Sequence, residues 1–318
     1  MKSLATWKLI SVCLNQGIPV MLLYVAESLG SSPGRQGFIM AVNAEALMEG
    51  SIGGGIMEHK FIEMAKARLA HQDSQASIHK QVHNKITASH QSGMICSGEQ
   101  TIVMYSVQKK DTAAVNAIIK CLEQNNNGLL ELSPAGIYFT LGRNSKTCYT
   151  FTTSKDWKYT ETIGYKNHLF IIGAGHCALA LSRIMHLMDF YIHLYDDRKD
   201  LKTVSENKFV HAITLPEDYR QLEDLIKPGE SHYVVIMTFG YRTDAIALKA
   251  LINKKFKYIG LLGSKAKTKK MLADMQAEGF DATVLQSIHA PVGIPINSQT
   301  PEEVAISIAA EIIKVKNA

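Results

Sequence analysis

Four stretches of the chain combine residue types that can do chemistry at a spacing that matters. The first is Gly173-Ala-Gly-His-Cys-Ala178, which fits G-x-G-x-x-G/A between an apolar run, His168 to Ile172, and a helical pattern, Cys177 to Met188. Glycines at its first two positions permit a tight turn and a close backbone approach to a phosphate, which the helix N-terminus then binds. Asp196 stands about 20 residues further on, at the end of the next apolar run, where a ribose-binding acid belongs. Asp197 and Arg198 extend that position. His176 replaces the small residue usual in such a loop, and either touches a ligand or caps the helix.

The second stretch, Gly53-Gly-Gly55, precedes a helix with Glu58 in its first turn. Free backbone N–H groups there suit an anion, and a plain tight turn suits the spacing equally. It is not a P-loop, because Ile56 and Met57 stand where Lys and Ser/Thr are required. The third is Gly263-Ser264 with Lys265, Lys267, Lys269 and Lys270, a strand end turning into a helix. Cations at a helix N-terminus oppose the dipole, which suggests an anionic ligand or simple solvation. The fourth is Cys96, flanked by small residues in Ser92-Gly-Met-Ile-Cys-Ser-Gly98. An accessible thiolate there is a nucleophile and a soft-metal ligand; a buried one is an inert hydrophobe. His79 and His83 sit four apart without a third ligand pattern, so they read as solvated.

The elements that must position these residues fall into two halves. The first half reads as a helix over Leu4 to Leu14, a strand over Val20 to Val25, and a Gly/Pro loop from Gly30 to Gly37. A strand over Phe38 to Val42, the glycine loop, and a helix burying Ile56, Phe61, Ile62, Ala65 and Leu69 follow. Residues 71–92 lack a period and read as a long loop; Thr101 to Val107 reads as a strand, Asp111 to Gln124 as a helix, and Gly136 to Leu141 and Cys148 to Thr152 as short strands. A polar stretch near Ser154 to Lys166 places the domain boundary, giving 1–160 as an α+β domain and 161–318 as a second domain. In that second half apolar strands alternate with helices: His168 to Ile172, Tyr191 to Tyr195, His211 to Leu215, Tyr233 to Met237 and Tyr258 to Leu262. Such alternation predicts an α/β, doubly wound parallel sheet of Rossmann type. Thr300, Pro301 and Glu303 form a capping box for the last helix.

The length of 318 residues favours two domains, and 46% apolar against 20% charged residues excludes wholesale disorder. A net charge of +5, without aromatics among the lysines of the third stretch, argues against nucleic acid as a partner. No apolar run is long enough to span a bilayer, and the first 18 residues do not read as a secretory signal, so the expectation is a cytoplasmic protein that does not engage the membrane. Five separated cysteines are read as reduced thiols.

Taken together, the motifs resemble the xanthine dehydrogenase accessory factors of the XdhC/CoxI type. The N-terminal match is Gly30-Ser-Ser-Pro33 with Gly37, Gly50-Ser-Ile-Gly-Gly-Gly55 with Glu58, and Gly93-Met-Ile-Cys96. The C-terminal match is Gly173-Ala-Gly-His176, Asp196-Asp-Arg198, Tyr258-Ile-Gly-Leu-Leu-Gly-Ser264, Pro291-Val-Gly293 and Thr300-Pro-Glu-Glu303 through Glu311. The resemblance implies a chaperone that binds the molybdenum cofactor (molybdopterin), assists its sulfuration, and delivers it to a molybdenum hydroxylase such as xanthine dehydrogenase. It also implies a cysteine desulfurase as partner and self-association as a homodimer. Cofactor-binding residues are then expected at Ser32, Gly53, Gly54, Gly55, Glu58, Gly173, Gly175, His176, Asp196, Asp197, Arg198, Thr238, Asp244, Gly263, Ser264 and Lys265, with Cys96 as the candidate sulfur carrier or metal ligand. The family's Cys-Gly-Gly is Cys96-Ser97-Gly98 here, its cysteine after the glycine triplet is absent, and its Thr-His pair is Thr238-Phe239. The alternative from the fingerprint and Asp196 is an NAD(P)-dependent oxidoreductase, although no acid/base for hydride transfer stands out.

Overall fold

The computed structural model describes residues 3–82, 98–142, 149–152 and 156–318. The chain divides into two compact units, Met1–Gly164 and Tyr165–Ala318. The first unit is α+β. Its elements are α1 (Ser3–Gln16), β1 (Val20–Gly30), β2 (Ile39–Asn43), β3 (Met48–Gly50), α2 (Gly55–Ala70), β4 (Ser77–Val82), β5 (Gly98–Val107), α3 (Thr112–Glu123), β6 (Gly128–Ser133), β7 (Gly136–Leu141), β8 (Tyr149–Thr152) and β9 (Lys158–Ile163). They form two sheets, ordered β3-β2-β1-β5-β4 and β7-β6-β9-β8.

The apolar run of β1 is continuous because both its faces are covered. Val20, Leu22 and Tyr24 join α1, α3 and the smaller sheet in one core, whereas Met21, Leu23 and Val25 pack on α2 in another. Period-two alternation therefore sends successive residues into two different cores. Three readings of this half are corrected. Residues 77–82 form an edge strand paired with β5, not a loop. Lys158–Ile163 pairs with both β6 and β8, so the polar stretch from Ser154 to Lys166 holds a strand, and the first unit ends just after it at Gly164, still within that stretch. In α2 the buried side chain is Met57, while Ile56 is 57% exposed.

The second unit contains β10 (Asn167–Ile172), α4 (His176–His186), β11 (Phe190–Tyr195), α5 (Lys202–Glu206), β12 (Ala212–Thr214), α6 (Leu222–Leu225), β13 (Gly229–Ile236), α7 (Tyr241–Leu251), β14 (Phe256–Leu261), α8 (Lys265–Ala277), α9 (Ala282–Gln286) and α10 (Pro301–Lys316). Its sheet is wholly parallel in the order β12-β11-β10-β13-β14. This is the Rossmann arrangement read from the alternation. Leu169 and Ile171 face α4 and α10; Phe170 and Ile172 face α6 to α9. The last helix has the capping box read from its sequence, with the Thr300 hydroxyl accepting from the Glu303 N–H. Toward the N-terminal end of the sheet, His168 Nδ1 lies 3.2 Å from His193 Nε2, and Tyr191 and His211 continue the stack.

Candidate functional site

The strand order reverses between β10 and β13, so their C-terminal ends diverge into a crevice, the usual ligand position in such sheets. A cavity of about 600 Å³ opens there, lined by Gly175, His176, Arg198, Lys202, Met237, Thr238 and Phe239 among others. Its floor is the glycine turn. Gly173 has φ +106°, and a Cβ at that position would lie 2.2 Å from the Met237 carbonyl oxygen, so only glycine lets the loops after β10 and β13 touch. Gly175 is different. It is the extended N-cap residue of α4, and a Cβ there would meet nothing within 4 Å. The first turn of α4 has amide N–H groups that no preceding carbonyl of the helix can accept, which is the arrangement that binds anions.

Asp196 lies where the fingerprint puts a ribose acid, but it is fully buried and turned toward its own chain. Its Oδ2 accepts from the Ala174 N–H at 2.7 Å and from Arg198 Nη2 at 2.8 Å. Its Oδ1 accepts from the Arg198 N–H and Nε at 2.9 and 2.8 Å. Burial opposes the charged form, yet these hydrogen bonds outweigh it and hold the carboxyl below the ordinary aspartate range. Arg198 in turn extends over the ring of Phe239, 5.6 Å from its centroid. Asp197 is exposed and accepts from the Tyr219 hydroxyl.

Thr238 lines the crevice, and its N–H and hydroxyl both bond Asp244 Oδ1 at 2.8 and 2.6 Å. Asp244 is itself fully buried, and Lys267 Nζ sits 2.6 Å from its other oxygen. The lysine that reaches this region is thus Lys267, whereas Lys265 is exposed. Ser264 caps α8 by accepting from the Lys267 N–H, and neither it, Gly263 nor Lys265 lines the cavity.

In the first unit, the glycine triplet carries its own anion. Glu58 Oε2 accepts from the Ile52 and Gly54 N–H groups at 2.8 and 3.0 Å and from Ser51 Oγ at 2.6 Å. The expected anion-binding role of Gly53, Gly54 and Gly55 is therefore filled intramolecularly at Gly54. Gly53 instead serves close approach, since a Cβ would lie 2.4 Å from the Gly34 nitrogen. Ser32 is buried and donates to the Gly34 carbonyl. Cys96 and His83 lie outside the described residues. Sequence reading missed Lys202, Thr203, Glu206 and Phe239 as lining residues. Their only signal was position just after the second and fourth strands of the parallel sheet.

A family model described as the XdhC Rossmann domain matches residues 169–312, and one described as the XdhC and CoxI family matches residues 13–80. The chain belongs to the XdhC family. The uncharacterized protein YqeB of Escherichia coli is 24% identical over 305 residues, covering 95% of this chain and 44% of YqeB. A probable xanthine dehydrogenase subunit of Bacillus subtilis is 28% identical over 159 residues, 50% of this chain and 46% of that protein. This XdhC chain spans less than half the length of these curated relatives. The crystal structure of a xanthine dehydrogenase from Bacillus halodurans shares the fold, with a TM-score of 0.70 at 22% identity over 98% of this chain and 96% of that one. Among the described residues, no helix is long and apolar enough to cross a membrane, and no three metal-ligating side chains converge.

Proposed function

We propose that this XdhC-family protein is a maturation factor for a molybdenum hydroxylase of the xanthine dehydrogenase type, with the molybdenum cofactor as its cargo. The observation that carries the reading is the crevice over Gly175: an open glycine at a helix N-terminus beside His176, Arg198 and Lys202. Those residues fit the terminal phosphate of molybdopterin, and the cavity volume accommodates a planar pterin. Gly175 and the first N–H groups of α4 hold the phosphate; Arg198 and Lys202 supply positive charge around it. Bound there, the cofactor is shielded and presented to its client, while a cysteine desulfurase supplies the sulfur. The family resemblance supports those two partners and a homodimer.

The same crevice would suit the pyrophosphate of NAD(P), but Asp196 spends both oxygens inside the protein and has no lone pair facing a ribose diol. That weakens the dehydrogenase alternative. The test is metal analysis and pterin fluorescence of protein purified anaerobically from a molybdate-fed host, followed by activation of a cofactor-free hydroxylase. Stoichiometric pterin in the wild type and its loss in Gly175→Val are expected. Micromolar NAD(H) or NADP(H) binding coupled to substrate turnover, with no pterin carried, would refute the reading.

A further inference from the structure

One apolar side chain of the crevice lies almost wholly in solvent. Phe239 is 88% exposed, the most exposed of the large apolar side chains described. It lies three residues beyond the end of β13, two after buried Met237, and lines the same cavity as Gly175 and His176. Its ring is held by a cation and not by packing. Arg198 lies over one face at 5.6 Å, and Arg198 is itself fixed by three hydrogen bonds to buried Asp196. A guanidinium over an aromatic face is favourable and sets the plane of the ring. Among the described residues, no protein ring is stacked on the phenyl group from the other side.

We propose that Phe239, oriented by Arg198, is the stacking platform for the planar heterocycle of a phosphomonoester whose phosphate sits at the N-terminus of α4. This deepens the proposed function and rests on it, since it takes the phosphate site as given. Two features make a planar ring the matching ligand part. A flat aromatic face left in water has its full apolar area still to bury, and stacking of a heterocycle buries it without demanding a particular hydrogen-bond pattern. Phe239 and the glycine turn also line one cavity of about 600 Å³, so ring and phosphate belong to a single small molecule with a short arm. Arg198 keeps Nη1 free of protein hydrogen bonds among the described residues, so the guanidinium can also meet an oxygen on that arm. Both a pterin and an adenine carry such a ring.

The experiment uses the full chain and three probes: hydroxymethylpterin monophosphate, the same pterin without phosphate, and AMP, with inorganic phosphate as competitor. Binding is read by pterin fluorescence and by calorimetry. Phe239→Ala should weaken the pterin monophosphate about tenfold, as loss of one base–aromatic stack does. Phe239→Trp should restore it, and the competition constant of inorganic phosphate should stay within about twofold in both variants. Because the ring is exposed, neither change threatens the fold. Equal affinity of Phe239→Ala and wild type for the pterin monophosphate would overturn the platform. So would a wild type that binds it no better than inorganic phosphate, an outcome that leaves the phosphate site standing. Unaltered binding in Gly175→Val would instead overturn the phosphate site itself. AMP binding more tightly than the pterin monophosphate would support the platform and assign adenine as the ring.

Discussion

Asp196→Asn is the substitution that best separates a structural acid from a ligand-reading one. The asparagine has the same shape but one acceptor oxygen in place of two. If that oxygen stays toward the Arg198 N–H and Nε, the new amide NH₂ faces the Ala174 N–H at 2.7 Å and Arg198 Nη2 at 2.8 Å, donor against donor. Hydrogen bonds to a charged group are worth about 1.5–3 kcal/mol each, and breaking a buried ion pair costs about 3–5 kcal/mol. Arg198 is 37% exposed and regains water, which places the loss near the lower end, about 3 kcal/mol. For a unit of this size that corresponds to a fall of roughly 6–12 °C in melting temperature. Calorimetry of the full chain should show it in the transition of the second unit, with Asp197→Asn within about 1 °C of wild type because Asp197 is exposed. A melting temperature of Asp196→Asn within that same margin would show that the carboxylate does not hold the turn, and would return it to the ligand.

Gly173→Ala and Gly175→Ala should part company: the first puts a Cβ 2.2 Å from the Met237 carbonyl and should cost more than about 3 kcal/mol in urea unfolding, while the second meets open space and should unfold like wild type. Glu58→Gln should destabilise the first unit by about 1–2 kcal/mol, read from its calorimetric transition, because a neutral amide oxygen replaces the charged Oε2 that accepts from Ser51, Ile52 and Gly54, and each of those bonds loses its charge assistance. Burial pushes the imidazoles of His168, His193 and His211 down to about 4, with neighbouring histidines acting in the same direction. The unfolded chain takes up these protons at about 6.5, so stability is full above that pH and falls as the pH drops toward 4. The groups are partly solvated, and the loss should be on the order of 1 kcal/mol each. The urea midpoint at pH 4.5 should fall below that at pH 7, and His193→Phe should shrink the difference; the carboxylates Asp196 and Glu311, held low by their hydrogen bonds, contribute the same sign at lower pH.

The second half was legible because its strands are buried on both faces and punctuated by glycine. His168 to Ile172 reads as a strand from composition alone, and Gly173 can do little else but turn. The first half was harder where a strand is polar for a reason. Lys158–Ile163 alternates correctly, with residues 159, 161 and 163 inward, but its central inward residue is Glu161. That carboxylate is buried because Tyr24 and Tyr159 donate to it at 2.6 and 2.7 Å, and Tyr24 arrives from residues far away in sequence. The edge strand Ser77–Val82 buries little on either face and so shows no period. In the candidate site, residue type and strand position were readable, whereas orientation was not. Asp196 is turned inward by Arg198 two residues later, and the anion of Gly54 is supplied by Glu58 four residues later. Both are local hydrogen-bond choices that spacing leaves open.

The glycine turn has one further implication. The Gly173 N–H bonds the Tyr195 carbonyl at 2.7 Å, Ala174 is held through its N–H by Asp196 and through its carbonyl by Thr203, and Gly173 abuts Met237. Three loops are thereby laced into one rigid seat before any guest arrives. A seat of this kind loses little conformational entropy on loading, so affinity comes without a closing movement. It also has no latch of its own to release. On the carrier reading proposed above, unloading must then come from outside, through a recipient that engages whatever part of the guest the seat leaves uncovered.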